Sequence, residues 1–302
     1  MKPTIAICIA TYHRPDQLAE TLKSLPQYLP EPYEGEIRVV DNDADRSAEQ
    51  VVRAFAAQSR IPTHYTVEPK QNIALARNRA IEMGEVDLVV FIDDDEIASR
   101  DWLHELISAA QETHADAVIG PVIGMLPDSA PQWCSHGDWF DKPVPEENGP
   151  MTWSGTRTSN TLVRGRWFYR HRLRFDPSYG RSGGSDVRLF KQIAIQGGQF
   201  HAASQALVYE HVEPHRATLV WLLKRFYRGG IVYGRVRYHR PLVLPAIDVV
   251  VRAVKIGALA LKGLAKAPLG RSEDLIRALA TSALLAGGIN AWLRPQRSSG
   301  YV

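Results

Sequence analysis

Four consecutive acids, Asp93-Asp94-Asp95-Glu96, end the apolar run Leu88–Ile92. Carboxylates set side by side repel one another, and a divalent cation that prefers hard oxygen ligands, Mg²⁺ or Mn²⁺, would neutralise them. A solvated acidic turn is the alternative. Gly183-Gly184-Ser185-Asp186 brings the backbone close to something just before a helical pattern. Asp186 suits a helix cap or a general base reaching into a cleft. His211 follows an apolar strand and would complete a metal site or remain a lone surface histidine. Pro214 separates it from His215 and there is no HExxH, so a zincin helix is excluded.

Three further clusters point to a nucleotide. Thr11-Tyr12-His13-Arg14 and Val39-Val40-Asp41-Asn42-Asp43 each follow an apolar strand pattern. A Tyr12 ring can stack on a base and Asp41 can accept from a base N–H; a turn or helix cap is the ordinary use of such residues. In Gln71-Asn72-Ile73-Ala74-Leu75-Ala76-Arg77-Asn78, Arg77 falls one turn into a helix, and both a guanidinium and a helix N-terminus favour phosphate. Arg225 and Arg228, three apart on a helical stretch, would hold a diphosphate or face acidic headgroups.

The elements that carry these clusters alternate. Strands are expected at Ile5–Ala10, Glu36–Val40, Thr63–Val67, Leu88–Ile92 and Ala117–Ile123. Between them, helices are expected from Pro15 to Leu25, at Ala48–Gln58, Ile73–Met83 and Trp102–Gln111. Such alternation implies βαβ units and a parallel sheet covered on both faces. The clusters then share the C-terminal sheet edge, where open α/β folds bind ligands. Gly124–Arg157 breaks the pattern with five prolines and three tryptophans, which marks a functional or mobile loop. Those tryptophans would stack on sugar rings or simply pack locally. A strand at Thr158–Val163, a helix at Asp186–Gln196 and a strand at Phe200–Tyr209 follow.

The 302 residues carry a net charge of +3, unevenly spread. From Trp221 onward there are 14 Lys/Arg and 3 Asp/Glu, a balance of +11; the first 220 residues hold 22 and 30, a balance of −8. The basic third suits an anionic partner such as a membrane surface, nucleic acid or phosphate. In Ala246–Lys266 the charged residues fall within roughly 80° of one helix face, and Ala278–Leu293 is an uncharged run of 16. Both are short for the ~20 residues of a bilayer span, so helices lying in the interface are expected; packing on the body is the alternative. Cys8 and Cys134 form no CxxC, which speaks against a disulfide framework or cysteine zinc module. The absence of GxGxxG, GxxxxGK[ST] and GxSxG removes support for nicotinamide, P-loop and esterase readings.

Taken in order, the clusters resemble the family 2 glycosyltransferases over Ile5 to about Gly230. Ile7–Arg14 looks like the family's opening strand and nucleotide loop, and Val40-Asp41-Asn42 like its uracil-binding turn. Asn72 with Ala76-Arg77-Asn78 is similar to its "GN…ARN" segment, Asp93-Asp94-Asp95 to the DXD metal site, and Gly184-Ser185-Asp186 to the "GGED" segment with the catalytic base. Ser185 departs from the usual Glu. The QxxRW of the processive branch is absent, with Lys224-Arg225-Phe226-Tyr227-Arg228 in its place.

The resemblance implies a GT-A, Rossmann-like, mostly parallel sheet flanked by helices in residues 1–230, divided into a nucleotide half (1–123) and an acceptor and catalytic half (124–230). Residues 231–302 would be a basic, amphipathic membrane-associating extension. It implies an inverting, non-processive hexosyl transfer from a UDP-sugar, UDP-glucose favoured, to a lipid-linked or oligosaccharide acceptor. The setting would be bacterial exopolysaccharide or cell-surface glycan synthesis. Asp93, Asp95 and His211 would bind Mn²⁺ or Mg²⁺. Thr11, Tyr12, Arg14, Asp41, Asn72, Arg77, Asp93, Asp94, Arg225 and Arg228 would bind the donor, and Asp186 would be the base. The enzyme would sit peripherally on the cytoplasmic face of the inner membrane, on anionic lipid, with no nucleic-acid partner. A sugar nucleotidyltransferase and a catalytically silent, membrane-bound relative are the rival readings.

Overall fold

The computed structural model describes residues 2–145, 148–180, 183–237, 243–266 and 273–293. Two compact units emerge: residues up to Met125 together with Phe140–His211, and Leu126–Trp139 together with Val212 onward.

The first unit is built on β1 (Thr4–Thr11), β2 (Glu34–Asp41), β3 (Thr63–Val67) and β4 (Leu88–Phe91), with α1 (Pro15–Ser24), α2 (Glu49–Ala56) and α3 (Ile73–Glu82) between them. These four strands run parallel in the order β3-β2-β1-β4. The period of two along β1 explains how both faces are covered. Ile5, Ile7 and Ile9 pack with Leu18 and Leu22 of α1 and Val52 of α2. The small Ala6 and Cys8 face the other way, toward Ala74, Ala76 and Ala80 of α3. Each fully buried isoleucine contributes about 1.5–3 kcal/mol, so a one-residue slip of β1 would forfeit most of that face.

The sheet continues through β9 (Thr161–Arg164), which runs antiparallel between β4 and β6 (Ala117–Ile119). β10 (Phe200–Ala202) and the short β8 (Pro150–Met151) complete eight strands. The mostly parallel α/β sheet expected from the sequence is therefore present, with β9 and β8 adding antiparallel pairs. Two expected strands are instead divided. Ala117–Ile123 becomes β6 and β7 (Val122–Met125), and Phe200–Tyr209 becomes β10 and β11 (Val208–His211). The break in the first falls at Gly120-Pro121. A side chain at Gly120 would meet Asn160 Nδ2 at 2.3 Å, and Pro121 has no N–H to donate to a ladder. Past these breaks β7 and β11 join β5 (Glu96–Ala98) in a three-stranded sheet, order β5-β11-β7. α4 (Trp102–Thr113), α5 (Arg166–Tyr169) and α6 (Ser185–Ile195) complete this unit.

In the second unit, α7 (Leu219–Arg237) packs on α9 (Glu273–Leu293), and α9 packs on α8 (Val243–Lys266). Glycine permits the close approach: a Cβ on Gly230 would lie 2.0 Å from the Leu284 carbonyl, and one on Gly287 2.0 Å from that of Tyr227. α9 exceeds the uncharged run read from the sequence because Glu273–Arg277 is helical too. At 21 residues it is long and apolar enough to cross a membrane by length and composition. Trp139 is buried in this unit and donates its indole N–H to the Trp133 carbonyl, 3.1 Å. Packing, not exposure to a ligand, is thus the state of that tryptophan.

Candidate active site

The carboxyl ends of β1 and β4, together with α3, hold the acidic turn and its cations. After β4 the chain turns through Asp93–Asp95 into β5. Thr11 Oγ1 donates to Asp94 (2.8 Å). Arg14 Nη1 reaches Asp94 at 3.2 Å and Asp95 at 2.7 Å. Arg77 of α3 donates to Asp93 at 3.1 Å, with its guanidinium 5.8 Å from the Phe175 ring centre. Thr11, Arg14, Arg77, Asp93, Asp94 and Asp95 thus form one cluster, although they come from three separate stretches of sequence.

Charge is tightly matched here. Burial first, then Asp93, Glu210 and Asp94, push Asp95 up to about 6 despite Arg14. Burial likewise raises Asp94, and Arg14 and Thr11 oppose it. Glu96 is fully buried; it accepts from the Asp93 backbone N–H (3.0 Å) and from Lys142 (3.4 Å). Lys142 also reaches Glu210 at 2.8 Å. Burial would lower Lys142, but Glu96, Glu210 and Asp93 outweigh it and keep the ammonium firmly charged.

Asp95 pairs with Arg14 yet also stands in the fields of Asp93, Glu210 and Asp94; hard carboxylate oxygens gathered in this way suit a divalent cation, so the donor set fits Mg²⁺ or Mn²⁺. The β11–β5 register ends with Glu210 paired to Glu96, and His211 follows as the last residue of β11, paired with Met125 of β7. The His211 ring is exposed, with Nε2 3.7 Å from Glu20. Among the described residues no three His, Cys, Asp or Glu side chains already converge as a metal site.

Other expected residues take different parts. Tyr12 is partly exposed at 39% and meets His13 edge to face, centroids 4.2 Å apart. Asp41 is fully buried, and both its oxygens are engaged: by Tyr65 Oη (2.9 Å), the Ala48 N–H (2.8 Å) and the Asp43 N–H (3.1 Å). Its carboxylate shapes the turn after β2. Asn72 caps α3, accepting from the N–H groups of Ala74 and Leu75, and donates to the Pro177 carbonyl at 2.9 Å. A Cβ on Gly180 would strike its Oδ1 at 1.6 Å. Asn72 therefore ties α3 to the segment leading to Asp186.

Gly183 and Gly184 have φ of +82° and +99°, a conformation that glycine adopts freely. Gly184 occupies the N-cap of α6, so Asp186 is one position inside the first turn and is not the cap residue. Its carboxylate accepts from the Val187 N–H at 2.8 Å.

Arg225 donates to the Trp139 carbonyl at 3.4 Å and lies 5.5 Å from the Trp221 ring centre. Arg228 borders a cleft with Trp221, Lys224 and Tyr227. Both belong to the second unit.

Sequence reasoning missed Lys142, Arg157 and Asn78. Lys142 and Arg157 lie in the irregular stretch after Ile123, with no local pattern to single them out. Asn78 binds the Phe175 backbone in both directions, at 2.8 and 2.9 Å; its place in Ala76-Arg77-Asn78 was the available signal.

Residues 6–172 match the model of the family described as "Glycosyl transferase family 2". Succinoglycan biosynthesis protein ExoM of Rhizobium meliloti (strain 1021) is 38% identical over 232 residues, spanning 76% of this chain and 74% of that protein. A glucosyl-dolichyl phosphate glucuronosyltransferase of Haloferax volcanii is 28% identical, over 72% of this chain and 61% of its own length. Residues 1–349 of S. aureus TarS superpose with a TM-score of 0.55 at 16% identity, covering 98% of this chain and 93% of that one. That is a likeness of fold. The same region of TarS has been solved in complex with UDP and with UDP-GlcNAc.

Proposed function

This chain belongs to glycosyl transferase family 2, has the GT-A fold, and from that premise we propose that it transfers one hexosyl unit from a UDP-sugar to a saccharide acceptor. UDP-glucose is the favoured donor, a lipid-linked saccharide the favoured acceptor, and bacterial exopolysaccharide or cell-surface glycan synthesis the setting. The observation that carries this reading is the joining of Thr11, Arg14 and Arg77 to Asp93–Asp95 at one sheet edge.

Tyr12 offers its ring to the base, and Asp41 supports the surrounding turn. Arg14 and Arg77 exchange carboxylate partners for phosphate oxygens when the donor binds. Asp93 and Asp95, with His211, would hold Mn²⁺ or Mg²⁺, and a cation bound there would supply stabilisation of the charge developing on the UDP leaving group. Asp186 takes the proton from the acceptor hydroxyl as that oxygen attacks the anomeric carbon. Attack opposite to the departing UDP, in a single displacement, inverts the configuration.

The peripheral membrane association rests on α8. Val251, Val254, Leu261 and Leu264 are exposed at 61–72% and fall within one arc of about 140° at 100° per residue. Lys255 and Lys262 are exposed beside that arc. An apolar arc bordered by lysines suits a helix lying in an anionic interface, and residues 231–302 would supply this attachment on the cytoplasmic face of the inner membrane.

The test is UDP release by the full chain from a panel of UDP-sugars, with Mn²⁺ and a bacterial membrane extract as acceptor. Acceptor-dependent UDP release is expected. Formation of UTP and sugar 1-phosphate when pyrophosphate is added would favour a nucleotidyltransferase, and binding without turnover a silent relative; either would overturn the reading.

A further inference from the structure

Arg157 lies just before β9, whose first residue Thr161 pairs with Phe91 at the end of β4 and with Ile119 at the end of β6. The segment preceding Thr161 therefore projects at the same carboxyl edge that carries Asp93. The guanidinium is fixed by one nitrogen: Nη2 donates to the carbonyls of Gly120 (2.6 Å) and Lys142 (2.7 Å). Nε is buried without a hydrogen-bond partner, and Nη1 has none among the described residues. No carboxylate of the described residues lies within ion-pairing distance of Arg157, whereas Arg14, Arg77 and Lys142 all have acid partners.

An arginine held this way is unusual in its energetics. A buried donor left unmade costs most of its desolvation, and a buried charge costs more. Burial lowers Arg157 to about 10, against the opposing fields of Glu96, Asp93 and Asp186. Those three groups belong to the acidic turn and to the proposed base, so the cation lies within electrostatic range of both. The carboxylates on that turn already hold their own cations. Arg157 has no such anion among the described residues, and a phosphate oxygen would meet a guanidinium with directed, charge-assisted bonds.

We infer that Arg157 is a diphosphate-binding residue, held ready by the Gly120 and Lys142 carbonyls to receive the β-phosphate of the nucleotide through Nη1. This rests on the UDP-sugar reading and extends it to a residue in the Pro- and Trp-rich stretch. The two carbonyls orient the fork in advance, so little side-chain entropy is lost on binding. They also tie ligand binding to the position of Lys142, and through it to Glu96 and Glu210.

The experiment compares UDP, UMP and uridine by calorimetry on the full chain, at one Mg²⁺ concentration, for the wild type, Arg157→Gln and Arg157→Lys. Thermal melting checks that each variant folds. A charged hydrogen bond lost to the β-phosphate should lower the preference for UDP over UMP roughly 10–100-fold in Arg157→Gln. Uridine affinity should stay within a few-fold. Arg157→Lys should retain part of the preference, because the charge remains and the fork does not. If Arg157→Gln fails to fold, the lysine variant decides, with a loss of several-fold expected. An unchanged UDP-to-UMP ratio in the folded variants would overturn the assignment. A wild-type chain that binds no UDP would overturn the donor reading itself, and this inference with it.

Discussion

The sheet edge of the first unit and the helices of the second use charge in opposite ways. At the edge, carboxylates and cations are buried against one another: Glu96 is fully buried, and Lys142 bridges it to Glu210. In the second unit Lys255, Lys262 and Arg228 are exposed, and cohesion comes from glycines that let helix backbones touch. A buried charge is specified by its partner, because removing either leaves the other uncompensated. An exposed charge is specified by the surface it meets, and its neighbours hardly constrain it. Substitutions of charged residues should therefore act on stability in one region and on association in the other.

The largest effect on stability should come from Lys142→Met. It removes the cation that Glu96 and Glu210 share, and breaking such a buried pair costs about 3–5 kcal/mol. Denaturant unfolding measures it, and a loss below about 1 kcal/mol would mean the edge is not built on matched charge. Gly287→Val should cost less, about 1–3 kcal/mol from overpacking, since a Cβ there meets the Tyr227 carbonyl at 2.0 Å. Thermal melting would show it, and a neutral result would remove the contrast in packing. Smaller again, Lys255→Glu with Lys262→Glu should weaken binding to anionic vesicles by about 1 kcal/mol per lysine removed, an effect that salt screens. Co-sedimentation at two salt concentrations checks it; unchanged binding would assign these lysines no membrane role. Least affected should be Cys8. Burial pushes its thiol up to about 12, opposed by Arg38. It should stay protonated and resist alkylation at pH 8 until the protein unfolds, whereas rapid labelling of the native chain would contradict the close packing of β1 on α3.

How much of this was legible depended on whether the signal was local. Thr11 to Arg14, Asp93 to Asp95 and Gly183 to Asp186 each announce themselves within a few residues, because a strand or helix boundary coincides with a change of residue type. Lys142 and Arg157 do not. Their partners lie up to 68 residues away in the chain, as Lys142 and Glu210 do, and their own neighbourhood has no period. The divided strands were missed for a related reason. Apolar residues flank Gly120-Pro121 on both sides, so the run reads as one strand, while the close approach of Asn160 that glycine at 120 permits is tertiary. β5, at three residues, is too short for any periodicity. At Asp41 the local sequence is silent about tertiary partners: its type and place suggest contact with a base, and the fold also surrounds it with three protein donors. On the helical side, the 16-residue apolar run understated α9, because Asp274 is buried and pairs with Lys262 at 3.4 Å.

The central claim is that the sheet edge is a transfer site with Asp186 as its base, and Asp186→Asn tests it most directly. The change is nearly isosteric and leaves the cap at Gly184 untouched. UDP affinity by calorimetry should stay within a few-fold of wild type, while kcat for sugar transfer should fall about 10²–10⁴-fold. Transfer within a few-fold of wild type, with UDP binding intact, would contradict the account and leave Asp186 a residue of the first helical turn alone.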